Sequence, residues 1–195
     1  MYRNMLNKNF FNENKFEDMS AEKLVYSIIE MPQVSEMARG FVANITDRAE
    51  QEANILKNET NFEMILKALR GKCDNLNYGI LYQKVLENED ELLPRIIAML
   101  VNSGNSVFIE HAAKIIPQCS KNYTKELLEI LDNVRNPYAV ALICVSLGFI
   151  ANEDAIPIIY AKYFKLKKTY MNESYAQGPL LALYKLKERF YMEKK

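Results

Sequence analysis

Few residues in this chain are of the types that do acid–base, metal or nucleophilic chemistry. His111 is the only histidine, so a His-based metal cluster or a Cys–His pair lacks parts within one chain. Its segment also carries Ile109, Ala112, Ala113 and Ile116, and the helical period sets His111 near the opposite side, as an ordinary exposed histidine. Cys73, Cys119 and Cys144 are odd in number, widely spaced and set in helical patterns, which suits reduced thiols better than a disulfide framework. No CxxC, HExxH, GxSxG or glycine-rich phosphate loop occurs, and Gly71-Lys72 lacks the rest of a P-loop. Glu89-Asp90-Glu91 and Glu153-Asp154 offer paired carboxylates for acid and base work. They stand at helix starts, however, where the positive end of the macrodipole already accounts for them. The expectation is therefore no catalytic residue, no metal and no cofactor.

Charge supplies a stronger signal. From Ala155 to the end there are nine Lys and Arg against three acids, a net of +6, so the neutral total leaves −6 on residues 1–154. Six of the twelve tyrosines fall in the same basic quarter. A basic, Tyr-rich end attracts phosphate or an acidic peptide. Lys165 and Lys168 oppose Ile156, Ile159, Tyr163 and Leu166 on one helical pattern. Lys185 and Arg189 oppose Ala176, Leu180, Leu183, Leu186 and Phe190 on the next. If the two helices are neighbours, these four cations form one binding face; otherwise they are a solvated surface and a basic helix end. Tyr160 and Tyr163 read as packing residues, Tyr170 and Tyr191 as more open.

The elements that must position these groups are helices. Apolar helix starts fall near Phe62, Leu93, Thr124 and Ala155, at steps of 31, and self-similarity at such a period indicates stacked helical repeats. The plan shows best in Asn88-Glu89-Asp90-Glu91-Leu92-Leu93-Pro94 and Asn152-Glu153-Asp154-Ala155-Ile156-Pro157. Each has an Asn as N-cap, acids in the first turn and a proline in that turn, where a missing N–H costs nothing. Four pairs are predicted: 61–70 with 76–87, 89–101 with 106–118, 124–133 with 137–151, and 153–168 with 174–192. Thr60 with Glu63 and Asn88 with Glu91 fit a capping box, and Gly71 and Gly104 stand at helix C-termini. Tyr138 to Ala151 reads as a helix buried on nearly all sides, with Val140, Ile143, Cys144 and Leu147 in the core; it is too short to span a bilayer. No segment has the period-2 pattern of a strand.

Residues 1–57 are expected to form an N-terminal helical cap, with helices from Met19 to Glu30, capped by Ser20, and from Val34 to Lys57. Residues 58–195 then hold the four pairs as one continuous domain. No secretory signal is visible at the N-terminus, so a cytoplasmic protein without membrane contact is expected.

The segment Asn152-Glu153-Asp154-Ala155-Ile156-Pro157-Ile158-Ile159, after the small-residue helix Ala139 to Leu147 with Gly148 near its end, resembles HEAT-like (armadillo-type) repeats. The resemblance covers roughly residues 60 to 191. Val134-Arg135-Asn136-Pro137 stands nearest to the Asp and Arg often found at that family's intra-repeat turn. It implies an all-α, right-handed α–α superhelix, a solenoid whose extended surface binds protein or nucleic acid. The leading expectation is a non-enzymatic scaffold holding a protein partner through the surface of the second helices. The alternative is nucleic-acid binding through Lys165, Lys168, Lys185 and Arg189. Some HEAT-like proteins are DNA base-excising glycosylases, but their pockets rely on Trp and an acid, and this chain has no Trp.

Overall fold

The computed structural model describes residues 47–71 and 75–192. The chain divides into two compact units, Met1–Gln51 and Glu52–Lys195. Of the first, residues 47–51 are described and are helical; the helix expected over Met19–Glu30, its Ser20 cap and most of that over Val34–Lys57 lie outside the described residues. The second unit opens with helical residues 52–58 and continues as α1 (Phe62–Ala68), α2 (Asn75–Glu87), α3 (Glu89–Leu100), α4 (Ser106–Ile115), α5 (Thr124–Leu131), α6 (Pro137–Ile150), α7 (Ile156–Thr169) and α8 (Gln177–Lys187). Single 3₁₀ turns follow α4 and precede α7 and α8, and one π turn, Glu188–Met192, ends the described chain. There is no strand among the described residues.

Side-chain capping explains three of the eight helix starts, although not at the positions expected. Asn61, Asn105 and Asn136 are the capping asparagines: each has extended backbone and accepts a backbone N–H through Oδ1, from Glu63, Phe108 and Tyr138 respectively. Thr60 is therefore not the cap of α1. Asn88 and Asn152 make no side-chain cap; Asn88 turns its amide back to the Lys84 carbonyl instead. Pro94 is the sixth residue of α3, in its second turn, whereas Pro157 does sit in the opening turn of α7. Gly71 and Gly104 do not make left-handed caps, since no described glycine has positive φ.

Each helix except α4 packs on its successor, and from α1 to α4 each also packs on the next but one; α6 likewise packs on α8. Hydrogen bonds between units recur at nearly the sequence period. Asn105 Nδ2 donates to the Arg70 carbonyl and Asn136 Nδ2 to that of Ser103, so each of these asparagines caps its own helix and ties it to the unit before. Glu89, buried, accepts from the Ser120 hydroxyl and N–H and from the Lys121 N–H, while Lys121 pairs with Asp90. The acids at the start of α3 thus receive the loop of the following unit, a role beyond complementing the helix dipole.

The core is one apolar cluster running from Ile65 to Leu186, with Phe108 as its largest fully buried side chain. Val140, Ile143, Cys144 and Leu147 are buried in it, as the pattern of α6 requires. At Gly148 the helices α6 and α8 approach so closely that a Cβ would lie 2.7 Å from Ala182 Cα, and at Gly178 it would collide with the Ala141 carbonyl. Small residues therefore set this crossing.

Candidate functional site

Helix α6 is not buried on all sides. Tyr138, Leu142, Val145 and Phe149 follow each other at helical spacing of four, three and four, so they share one face. The first three are half-buried and Phe149 is 47% exposed. Beside them Ala113 on α4 and Pro117 in its terminal turn complete an apolar groove of about 450 Å³, with Tyr82 from α2 at one edge. Its polar rim is Glu110, Lys114 and Gln118. The Tyr138 hydroxyl donates to Glu110 Oε1 at 2.8 Å; burial first and this carboxylate second push its pKa up to about 12, so it remains a donor that fixes the ring at the groove wall.

Behind the groove lies the one histidine. His111 is 3% exposed, not solvent-facing as its neighbours suggested, because Phe108, His111 and Ile115 stand three and four apart on the buried side of α4. The imidazole packs against Tyr78 at 4.7 Å and edge-on to Tyr82 at 5.5 Å, with Nδ1 3.0 Å from the Tyr82 hydroxyl. Burial, then Lys114, lower its pKa; Glu110 and a hydrogen bond to the Gly71 backbone oppose this. A neutral ring in that setting is a packing and hydrogen-bonding element. A second, more enclosed pocket of about 340 Å³ touches it, lined by Tyr78, Ser106, Val107, Glu110 and Lys114.

The four cations proposed as a binding face have different surroundings. Arg189 donates to the carbonyls of Gly148 and Ala151, the orphan acceptors at the end of α6. Lys185 is paired with Glu188 at 2.8 Å. Lys165 and Lys168 are exposed on α7. A fifth cation of the basic quarter, Lys162, is only 7% exposed and donates to the Leu131 carbonyl at the end of α5 as well as to Asp132. That pairing, with Lys165 contributing, holds the Asp132 carboxyl below its ordinary range. Part of the positive charge of the C-terminal quarter is thus used inside the fold, neutralising the C-terminal dipoles of the two preceding helices.

Two sequence readings on these helices are corrected. Leu180 is exposed and does not share the buried face of α8, which is formed by Pro179, Ala182 and Leu186. Tyr160, expected to pack, is 54% exposed. In both cases the inner face is set by which residues the neighbouring helix can approach, as at the Gly148–Ala182 contact.

Cys119 and Cys144 are free thiols, and burial pushes each pKa up to about 12, far from the range of a thiolate nucleophile at neutral pH. Among the described residues no three of His, Cys, Asp and Glu are grouped to hold a metal ion, and no helix is long and apolar enough to cross a membrane. Comparison with protein-family models, with curated proteins and with solved structures finds no match for this chain.

Proposed function

We propose that this protein is a non-enzymatic, HEAT-like helical-repeat scaffold that binds a protein partner through the groove between α4 and α6. In this reading the four helix pairs stack as a right-handed α–α superhelix, residues 1–57 cap it, and the protein works in the cytoplasm. The observation that carries the proposal is the continuous apolar stripe Tyr138, Leu142, Val145 and Phe149, half-buried at its first three residues, exposed at Phe149 and bordered by Ala113 and Pro117. A stripe of this kind with a polar rim is what an interface core requires. Phe149→Glu places a charge at the most exposed point of the stripe without touching the buried face of α6. The full chain and this variant, each used to capture proteins from the native cell, should differ by loss of a retained partner; identical retained sets, with unchanged circular dichroism, would sink the proposal. The reading that places nucleic acid on Lys165, Lys168, Lys185 and Arg189 together is less well supported, because Lys185 and Arg189 already have internal partners.

A further inference from the structure

The outer face of α7 combines two features that seldom share one surface. Its inner side is conventional: Ile159, Lys162 and Leu166 are buried. At the opposite side Tyr160 and Phe164, one turn apart, are 54% and 50% exposed. Their ring centroids lie 4.8 Å apart at a steep angle, and Tyr163 meets Phe164 edge-on at 5.2 Å. The three rings therefore brace one another while about half of Tyr160 and Phe164 stays open. Lys168 stands one turn beyond Phe164 on the same line and Lys165 on the adjoining face, both exposed, and Lys167 lies 5.5 Å from the Tyr163 ring centroid with its ammonium on the Tyr163 hydroxyl. No acid occurs from Ile156 to Thr169. Lys165 contributes to the field at Asp132, a carboxylate already engaged by Lys162.

Open aromatic rings favour contact with another flat π-surface, and unpaired lysines beside them favour a phosphate backbone. One chemistry supplies both at the spacing of a helix turn. We infer that the outer face of α7 is a binding platform for single-stranded nucleic acid, on which Tyr160 and Phe164 stack with bases while Lys165 and Lys168 neutralise adjacent phosphates. A duplex hides its base faces and gains only the electrostatic part. An anionic membrane is a poorer match, because Lys168 stands along the outer line of the helix together with the rings, where an inserting face must be apolar. This surface is separate from the α4–α6 groove, and neither proposal depends on the other.

The test uses the full chain, a fluorescently labelled oligothymidylate and oligouridylate of about 15 nucleotides, and a duplex of equal length, titrated at about 50 and 200 mM salt. The single strands should bind more tightly than the duplex at low salt. Tyr160→Leu and Phe164→Leu keep the apolar area and remove the rings. Each should weaken single-strand binding by about tenfold with the salt slope unchanged. Lys165→Gln with Lys168→Gln should instead reduce the log–log salt slope by about 1.4, at roughly 0.7 per phosphate contact on a single strand. The inference is overturned by absence of binding at low salt, by equal affinity for duplex and single strand, or by leucine variants that bind like the parent. It is also overturned if the rings are needed only for phosphatidylcholine vesicles carrying about 30% phosphatidylserine, which would make the face a membrane contact.

Discussion

Burial among Tyr78, Tyr82 and the aliphatic side chains of α4 disfavours the protonated His111 imidazole in the folded chain, and this gives its contribution to stability a definite sign. Its folded pKa lies below the ordinary value of 6.5, so below that pH the unfolded chain binds the proton more readily than the folded one. The stabilisation is complete above about 6.5 and is lost as pH falls from there toward the folded pKa. Glu89, Asp132 and Glu188 have lowered pKa values and lose their contributions only at more acid pH, below the ordinary carboxylate range. Urea midpoints measured between pH 7.5 and pH 5 should therefore fall in the parent and fall less in His111→Gln; equal slopes would show that the ring is not the group that titrates. The burial of His111 was legible in its spacing from Phe108 and Ile115, which are also buried. It is masked if Ile109, Ala112, Ala113 and Ile116 alone are taken to define the inner face. The roles of Lys162 and Arg189 had no local signal. Their acceptors lie 31 to 41 residues away, on carbonyls that carry no side-chain signature.

Helices and their ends are where local sequence reading succeeds, because 3.6-residue periodicity and capping chemistry act over a few neighbouring residues. All eight labelled helices match the expected segments, apart from a one-residue earlier start of α2 and a one-residue later end of α7. The clearest available signal for the stacking was the pair Asn105 and Asn136, set 31 apart, each capping a helix and reaching back to the preceding unit. Cap identity was less legible at Thr60 and Asn88, since several polar residues compete at one helix start and tertiary contacts decide among them. The open stripe on α6 was hidden for a different reason: a helix apolar on every side gives no amphipathic contrast, so the sequence does not show which side lacks a neighbour. Close packing at the other side of α6 yields a prediction of opposite signs. Gly148→Ala should destabilise by about 1–3 kcal/mol, because its Cβ meets the Ala182 backbone and neither helix can retreat without opening the core. Gly79→Ala in α2, where nothing lies within 4 Å, should stabilise by up to about 1 kcal/mol through helix propensity alone. Chemical denaturation of the two variants checks both, and a stabilising Gly148→Ala would show that α6 and α8 are free to move apart.

Within the second unit, stability is distributed through contacts between neighbouring helices around one apolar cluster. The last pair illustrates this most fully. It covers Ala141 and Gly148 through α8, and it supplies Lys162 and Arg189 to the carbonyl ends of α5 and α6. A chain ending at Ala151 would therefore lose apolar cover and two cationic caps at once. Its carbonyl ends at Leu131 and Gly148 would have to find water, and the face of α6 around Ala139, Ala141 and Cys144, now buried, would become solvent-exposed. The truncated chain should retain helical circular dichroism from α1 to α6, unfold at lower urea with a smaller m-value, and self-associate at concentrations where the full chain does not. Restoring the last pair as a separate polypeptide, residues 152–195, should suppress that association, because the surface it covers is defined by the Gly148–Ala182 and Ala141–Gly178 contacts rather than by general hydrophobicity. Unchanged unfolding after truncation would mean that the pairs are independent units, and the near-31-residue recurrence of hydrogen bonds would then have no energetic consequence.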